Sequence, residues 1–222
     1  MLPDRLTWVD ETNRAQHNFL GEGDRCCHFG EYFAYKGYQG GGTNQLIFNF
    51  KIKPSVAAAN PARGAWKERA IAEIAAGLRR VVTRENAEQL TWVPVPPSKA
   101  VGDVEYDNRL IRTLTTAFAG YNADVRLLLR QNASAEGDHA GNRLSPDELT
   151  QLLEVDHAAL TAEPLRQGII LFDDVLTTGK HFKCCEGRLR EVVPAGMPIV
   201  GVFVARRVIP PVAADEFDDL TE

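Results

Sequence analysis

Two adjacent carboxylates and a short hydroxyl-rich turn are the stretch of this 222-residue chain that most clearly predicts chemistry. Asp173 and Asp174 follow the continuous apolar run Gly168–Phe172, which predicts a central parallel strand buried on both faces. The turn Thr177–Lys180 (T-T-G-K) comes next and leads into a predicted helix. Because ligands of open α/β sheets bind outside the carboxyl ends of the strands, we expect a binding site here.

The turn Thr177–Lys180 has the groups that bind a phosphate. A loop before a helix presents free N–H groups and the positive end of the helix dipole, and the glycine lets the backbone approach a ligand closely. Asp173 and Asp174 suit two vicinal hydroxyls, which donate hydrogen bonds to carboxylates. The stretch therefore fits ribose 5-phosphate. The alternative, a plain strand end and a plain helix cap, does not explain two adjacent acids after an apolar strand.

The segment Leu171–Gly179 (L-F-D-D-V-L-T-T-G) resembles the signature of type I phosphoribosyltransferases, which bind phosphoribosyl pyrophosphate (PRPP). The resemblance implies that Asp173 and Asp174 are the catalytic acids that hold the ribose 2- and 3-hydroxyls, and that the turn holds the 5-phosphate. The residues that this implies for PRPP binding are Val175, Leu176, Thr177, Thr178, Gly179 and Lys180. The family usually has a small or hydroxyl residue and then a threonine after the glycine, where this chain has Lys180 and His181.

A second resemblance is to ComF-type proteins, an amidophosphoribosyltransferase-like branch linked to competence and DNA handling. The segments that carry it, in the same order along residues 45–207, are Leu46–Lys53, Trp92–Pro97, Asp107–Leu110 and Leu129–Arg143. Two departures indicate a divergent branch. Cys26–His28 (C-C-H) stands where these proteins commonly have a Cys-x-x-Cys zinc element, and Glu105–Arg109 replaces an Arg-Gly-Phe-Asn-Gln segment.

The pyrophosphate of PRPP needs a second anion site and a divalent cation to offset its charge. Mg²⁺ is the expected cofactor, because it binds phosphates while keeping several waters. It would arrive with the pyrophosphate, and we predict no metal ligands from the protein alone. The resemblance implies that Ser98 and Lys99, in the loop after the predicted strand Gln89–Val95, are the donors on this side. A solvated loop lysine is the alternative for Lys99. Arg109 either reaches the same anion or is a surface charge on its helix.

Arg130–Arg143 is polar, rich in small residues and without apolar periodicity, which predicts a mobile loop. It corresponds in position to the flexible hood that closes over type I sites. Such a lid keeps water from a reactive C1 cation. Arg130, His139 and Arg143 are its candidate contacts with the pyrophosphate, and a solvated loop residue is the alternative for each.

Alternating helix and strand patterns predict an α/β fold in one domain, a doubly wound parallel sheet of the type I phosphoribosyltransferase kind. Ser145 and Glu148 form a predicted capping box at the start of one helix. The predicted helices are Ala62–Arg84, Asp107–Gly120, Ser145–Val155 and Lys180–Val193. The predicted strands are Gln45–Lys53 (or an extended entry segment), Gln89–Val95, Asp124–Leu129, Gly168–Phe172 and Pro198–Ala205.

The first 45 residues show no regular pattern, and we expect a cap or a short hairpin rather than a unit of the core. The chain thus divides into an N-terminal cap or hood at 1–44, a phosphoribosyltransferase-like domain at 45–210 and an acidic tail at 211–222 that frays. The acceptor is expected to contact the hood, Leu2–Thr43, and the C-terminal segment, and its identity cannot be read from the sequence.

The composition is that of a globular protein, with 44% hydrophobic and 25% charged residues. A net charge of −5 argues against nucleic acid as a partner. No run approaches the roughly 20 apolar residues of a membrane helix, so no membrane association is expected. The cysteines form two adjacent pairs, Cys26–Cys27 and Cys184–Cys185, which predicts reduced thiols and a cytoplasmic location. His28 beside the first pair leaves a metal site as the alternative.

Two functions of different classes fit these motifs. One is a transferase that moves the phosphoribosyl group of PRPP to an unknown nitrogen nucleophile, and the other is a non-catalytic module that senses PRPP or a nucleotide. An accessory role in DNA uptake or repair is a third, which rests on the ComF resemblance alone. The expected partners are PRPP or a nucleotide, the acceptor and, as one option, a second copy of the chain in a homodimer.

Overall fold

A computed structural model describes residues 2–134 and 144–209 of the chain, which form an α/β fold. Single turns of 3-10 helix lie at Arg14–Gln16 and Gly37–Gly40. The strands are β1 (Thr7–Trp8), β2 (Arg25–Phe33), β3 (Thr91–Pro94), β4 (Asp124–Val125), β5 (Leu129–Gln131), β6 (Leu153–Val155), β7 (Ile169–Leu176) and β8 (Ile199–Val208). The helices are α1 (Gly42–Phe50), α2 (Pro54–Ala59), α3 (Pro61–Val81), α4 (Arg84–Gln89), α5 (Arg109–Ala117), α6 (Pro146–Leu152), α7 (His157–Thr161) and α8 (Lys180–Arg190).

The main sheet has six strands in the order β1-β2-β8-β7-β3-β4. Every neighbouring pair is parallel except β1 and β2, so the sheet is mixed but mostly parallel. After β3 the chain adds β4 on one side, and it later adds β7 on the other. The strand order therefore reverses between β3 and β7, and such a switch point opens a crevice at the carboxyl ends of the two strands. Strands β5 and β6 form a separate antiparallel pair.

Helices cover both faces of this sheet. Cys26 and Phe29 lie three positions apart in β2, so their side chains point to opposite faces. Helix α3 packs on the Phe29 face, where a Cβ at Gly77 would lie 3.8 Å from that ring. Helix α8 packs on the Cys26 face, where Phe182 and the Cys26 sulfur both lie close to Gly201 of β8. The predictions of an α/β fold and of parallel strands are thereby confirmed.

The apolar runs lie in the core, as predicted. The first four residues of β7, Ile169–Phe172, are all buried, which is the expected environment of a central strand with helices on both faces. On one side of the sheet, Trp92 of β3 packs against Phe118 with ring centroids 4.6 Å apart. The predicted helices correspond to α3, α5, α6 and α8, and the capping box between Ser145 and Glu148 is present. The predicted helix Ser145–Val155 is wrong at its end, because Leu153–Val155 is strand β6, which pairs with β5.

Two predicted strands need correction. The segment Gln45–Lys53 belongs mostly to helix α1 rather than to a strand. Its buried residues Leu46, Ile47 and Phe50 follow helical spacing, so the apparent alternation of polar and apolar residues misled the interpretation. The predicted strand Asp124–Leu129 is divided, because β4 ends at Val125 and β5 begins only at Leu129.

The prediction that the first 45 residues are irregular and outside the core is wrong for Arg25–Phe33. This segment is the nine-residue strand β2, which lies between β1 and β8 in the main sheet. Cys26, Cys27, His28, Phe29 and Gly30 are all buried. Because both faces of β2 are covered, its sequence lacks the polar and apolar alternation that marks a half-exposed strand.

Two predicted segments fall partly or wholly beyond the described residues. Arg130 and Gln131 belong to β5, whereas His139 and Arg143 of the predicted lid lie outside the description, as does the acidic tail at 211–222. Within residues 2–134 and 144–209, no helix combines the length and the apolar character needed to cross a membrane.

Candidate functional site

A cavity of about 610 Å³ opens at the carboxyl ends of β3 and β7. The Val95 amide donates to the Phe172 carbonyl at 2.9 Å, so the loop after β3 starts beside the acids that follow. Residues predicted for both halves of the ligand line this one cavity. They are Asp173, Asp174, Val175 and Thr177 from β7 and its turn, and Ser98, Lys99 and Arg109 from the predicted pyrophosphate side.

The other predicted residues lie elsewhere. Leu176 is buried in the sheet, and Thr178 and Gly179 continue the turn without lining the cavity. The Lys180 ammonium donates to the Leu144 carbonyl and does not line the cavity either. Arg130 lines an adjoining cavity of about 400 Å³, which shares Lys99 and Asp107 with the first, and it forms an ion pair with Glu154 at 3.2 Å.

Asp174 lies at the centre of a buried network of charges. It is 4% exposed, and it accepts hydrogen bonds from Lys51 Nζ at 3.1 Å and from the Arg109 guanidinium. Arg109 also donates to Asp107 Oδ2 at 2.9 Å, and Lys67 Nζ donates to the same oxygen at 2.7 Å. The Arg109 side chain is only 14% exposed. The alternative that Arg109 is a surface charge is therefore wrong, and its contact with pyrophosphate stays a prediction.

The two adjacent acids have opposite electrostatic environments. Burial raises the pKa of Asp173, and the negative charge of Asp174 raises it further. Burial also acts to raise the pKa of Asp174, but Lys51 and Arg109 outweigh it and hold that pKa well below the usual range. The pair therefore carries its negative charge mainly on Asp174, while Asp173 can exchange a proton nearer to neutral pH.

The N-terminal part of the chain packs against the turn that precedes α8. Gly179 has φ +82°, and a Cβ at this position would lie 2.7 Å from a Leu20 side-chain carbon. The Phe19 amide donates to the Thr178 carbonyl at 3.0 Å, and the buried His17 ring donates from Nδ1 to the Thr177 carbonyl. Both the backbone conformation and the close contact therefore require glycine at position 179.

Several cavity residues were not identified from the sequence. Lys51 and Lys53 follow α1, and they were missed because the sequence pattern predicted a strand at Gln45–Lys53. His181 was noticed only as a departure from the family pattern. Burial lowers the pKa of His181 to about 4, and its Nε2 is buried with no hydrogen-bond partner in the described part of the chain. His17 carried no sequence signal, because its partner Thr177 is 160 positions away.

None of the four cysteines lines this cavity. All four are free and buried, and burial raises the pKa of Cys27 to about 12, so its thiolate is strongly disfavoured. Over residues 2–134 and 144–209, no three His, Cys, Asp or Glu side chains are grouped as metal ligands. Cys26, Cys27 and His28 instead lie in succession along the buried strand β2.

Comparisons with known proteins do not assign this site to a family. No protein-family model matches the chain. No curated protein matches it either. The function must therefore be argued from the geometry of the cavity and from the resemblances of its motifs.

Proposed function

We propose that this chain binds PRPP together with Mg²⁺ and transfers the phosphoribosyl group to a nitrogen nucleophile, with a fold of the type I phosphoribosyltransferase kind. The observation that carries the proposal is the cavity at the switch point between β3 and β7. Strand β7 and its turn supply Asp173, Asp174 and Thr177 to the lining, and the loop after β3 supplies Ser98 and Lys99. These two segments provide groups for the two halves of the ligand.

The ribose would bind at the acids. Asp174 stays ionised, and each carboxylate oxygen has two lone-pair sites. A ribose hydroxyl can therefore donate to Asp174 even while Lys51 and Arg109 remain in place. Asp173 has no ion pair within the described residues. Its Oδ1 accepts from the Asp174 amide at 2.7 Å, and its Oδ2 is left for the second hydroxyl.

The pyrophosphate would bind between the loop after β3 and the cations at the end of α1. Lys51, Lys53 and Lys99 line the same cavity, and together they offset part of the charge of PRPP. Glu105 is also in the lining and supplies the hard oxygen donor that Mg²⁺ prefers. These residues fit an ion that enters with the pyrophosphate and neutralises the charge that develops on it.

The chain's own share of the chemistry is positioning and charge stabilisation. As the C1–pyrophosphate bond breaks, positive charge develops on the ribose ring, and the Asp173–Asp174 pair lies beside the hydroxyls of that ring. Because its pKa is raised, Asp173 is also suited to accept the proton that a nitrogen nucleophile loses near neutral pH.

The first test is binding of PRPP. We expect millimolar PRPP with Mg²⁺ to raise the melting temperature, because a ligand that binds only the folded state stabilises it. Asp173→Asn should greatly reduce this shift, and Lys36→Ala, at an exposed position outside the cavity lining, should not change it. An unchanged melting temperature of the wild type over the full range of PRPP would contradict the proposal.

The second test is turnover, measured as release of pyrophosphate from PRPP over a panel of amines and nitrogen bases. Release that depends on one acceptor and on Asp173 would establish the transferase. A non-catalytic sensor is the other candidate, and one observation favours it. The Asp174 carboxylate already forms ion pairs with Lys51 and Arg109. Binding of PRPP without release across the whole panel would support the sensor.

A further inference from the structure

The N-terminal segment His17–Leu20 contacts the backbone of the turn that precedes α8. His17 Nδ1 donates to the Thr177 carbonyl, and the Phe19 amide donates to the Thr178 carbonyl at 3.0 Å. Leu20 fills the space in which a Cβ of residue 179 would stand. Three successive residues of the turn thus contact one short segment that is distant in the sequence.

These contacts fix the direction of the N–H groups in the turn. The described residues contain no cis peptide bonds, and in a trans peptide the carbonyl of one residue points opposite to the N–H of the next. Drawing the Thr177 and Thr178 carbonyls toward His17–Leu20 therefore turns the N–H groups of Thr178 and Gly179 away from that segment. Neither N–H donates a hydrogen bond to any residue in 2–134 or 144–209.

The free N–H groups of Thr178 and Gly179 follow one another, Gly179 has a left-handed backbone, and a helix comes next. Such an arrangement makes a concave site for an anion. His17 and Phe19 do not line the cavity, whereas Thr177 does. The free N–H groups of Thr178 and Gly179 therefore point away from the supporting segment, and they directly follow the cavity residue Thr177. This explains how the turn can bind a phosphate even though Lys180 is bonded to Leu144.

The surroundings of His17 indicate that its hydrogen bond to Thr177 is what the histidine contributes. Its side chain is fully buried, and its Nε2 has no partner in the described ranges. A buried nitrogen without a partner is unfavourable, and an apolar side chain would fill the same space without that cost. What histidine adds over an apolar residue is the donor to Thr177.

We propose that His17 is a positioning residue, which orients the Thr177–Gly179 turn so that its N–H groups bind the 5-phosphate of the ligand. This inference rests on the proposed function for the identity of the ligand. It places part of the phosphate site in the N-terminal segment, outside the motif Leu171–Gly179.

The chain offers a matched control in His28. This histidine is 3% exposed, its Nδ1 donates to the Gly30 carbonyl at 3.0 Å, and its Nε2 also lacks a partner in the described residues. Among the described residues no hydrogen bond joins it to the turn. His17→Leu and His28→Leu remove equivalent buried hydrogen bonds, and His17→Asn and His28→Asn keep a donor at the same distance along the side chain.

The first measurement is affinity for ribose 5-phosphate and, separately, for pyrophosphate with Mg²⁺. We expect His17→Leu to weaken ribose 5-phosphate by about tenfold, which is about 1.4 kcal/mol, and to leave pyrophosphate within about twofold. His17→Asn should restore most of the loss, and both His28 variants should bind as the wild type does. Equal losses in His17→Leu and His28→Leu would overturn the proposal.

The second measurement separates this inference from the proposed function. In the ligand-free protein, the amide resonances of Thr178 and Gly179 should shift in His17→Leu, return toward wild type in His17→Asn and stay unchanged in His28→Leu. If the wild type binds no ribose 5-phosphate, the proposed function fails, and these resonances still decide whether His17 orients the turn. Unchanged resonances in His17→Leu would overturn the inference. If His17→Leu does not fold, His17→Gln, whose donor lies one bond further out, replaces it.

Discussion

Lys51 Nζ lies 3.1 Å from Asp174 Oδ1, and this ion pair joins the end of α1 to the end of β7 across 123 positions of sequence. The two partners differ in exposure, because the Lys51 side chain is 49% exposed and that of Asp174 only 6%. Arg109, on the buried side of Asp174, is 14% exposed. Lys51 can therefore move to an incoming phosphate without leaving water, while Arg109 continues to balance the buried carboxylate.

This arrangement predicts that the two adjacent acids differ in their importance for stability. At pH 8, Asp174→Asn should lower the free energy of unfolding by about 3 kcal/mol, because it leaves Arg109 buried with Asp107 as its remaining partner. Asp173→Asn should leave that free energy unchanged or raise it, since burial and Asp174 disfavour its charge. Urea denaturation measures both. A larger loss for Asp173→Asn than for Asp174→Asn would contradict this account of the pair.

Lys99→Ala should weaken PRPP by about tenfold and ribose 5-phosphate by less than about twofold. The reason is position, because Lys99 enters the cavity lining from the loop after β3, whereas the proposed phosphate turn follows β7. Isothermal titration with each ligand measures the difference, and Lys36→Ala provides a control for the loss of one positive charge. Equal weakening of the two ligands by Lys99→Ala would remove this lysine from the pyrophosphate side.

Gly179→Ala should destabilise the protein, whereas Gly187→Ala should stabilise it. Gly179 has a left-handed backbone, which costs other residues about 1–2 kcal/mol, and its Cβ would contact Leu20. Gly187 lies exposed within α8 with nothing within 4 Å of a Cβ, so alanine there should add about 0.5–1 kcal/mol. Thermal and urea denaturation of the two variants check the opposite signs. A neutral Gly179→Ala would mean that the turn is not held as described.

His28 should make the protein less stable in mild acid. Burial lowers its pKa to about 4, whereas in the unfolded chain the pKa is near 6.5. As the pH falls from about 6.5 to about 4, the unfolded state therefore takes up a proton that the folded state does not, and the free energy of unfolding falls by up to about 1.4 kcal/mol per pH unit.

The control for this prediction is His28→Asn, which keeps a donor for the Gly30 carbonyl but does not titrate. The difference in unfolding free energy between wild type and variant should decline as the pH falls from 7 to 4. The raised pKa of Asp173 changes the free energy of unfolding with pH in the opposite direction. This contribution is present in both proteins and cancels in the difference. A difference that stays constant over this range would show that His28 does not titrate as described.

Local signals account for what the sequence could predict. The apolar run of β7, the two acids after it and the turn before α8 are contiguous, so their chemistry could be read without knowledge of the fold. The capping box of Ser145 and Glu148 spans only four residues. The loop after β3 could be assigned to the same cavity because parallel strands bring their carboxyl ends to one edge of the sheet.

What could not be predicted depends on partners that are far away in the sequence. Strand β2 is buried on both faces and has no alternation to reveal it, and α1 contains aromatic residues that mimic a strand. The contact of Lys51 with Asp174 and that of His17 with Thr177 each join segments more than 120 positions apart. Residue type and spacing carry no information about such pairings, which only the packing of the sheet determines.

The place of β2 beside β8 also has a consequence for biosynthesis. Its eight paired positions match Arg25–Phe33 with residues between Val200 and Val208, so the edge formed by β2 has no partner until most of the chain has been translated. Pairings of such high sequence separation form slowly, because the loop between them must close first. The edge of β2 that faces β8 therefore stays unpaired through most of translation, whereas β1 can pair with the other edge at once. A nascent chain stopped before β8 would expose an aggregation-prone edge.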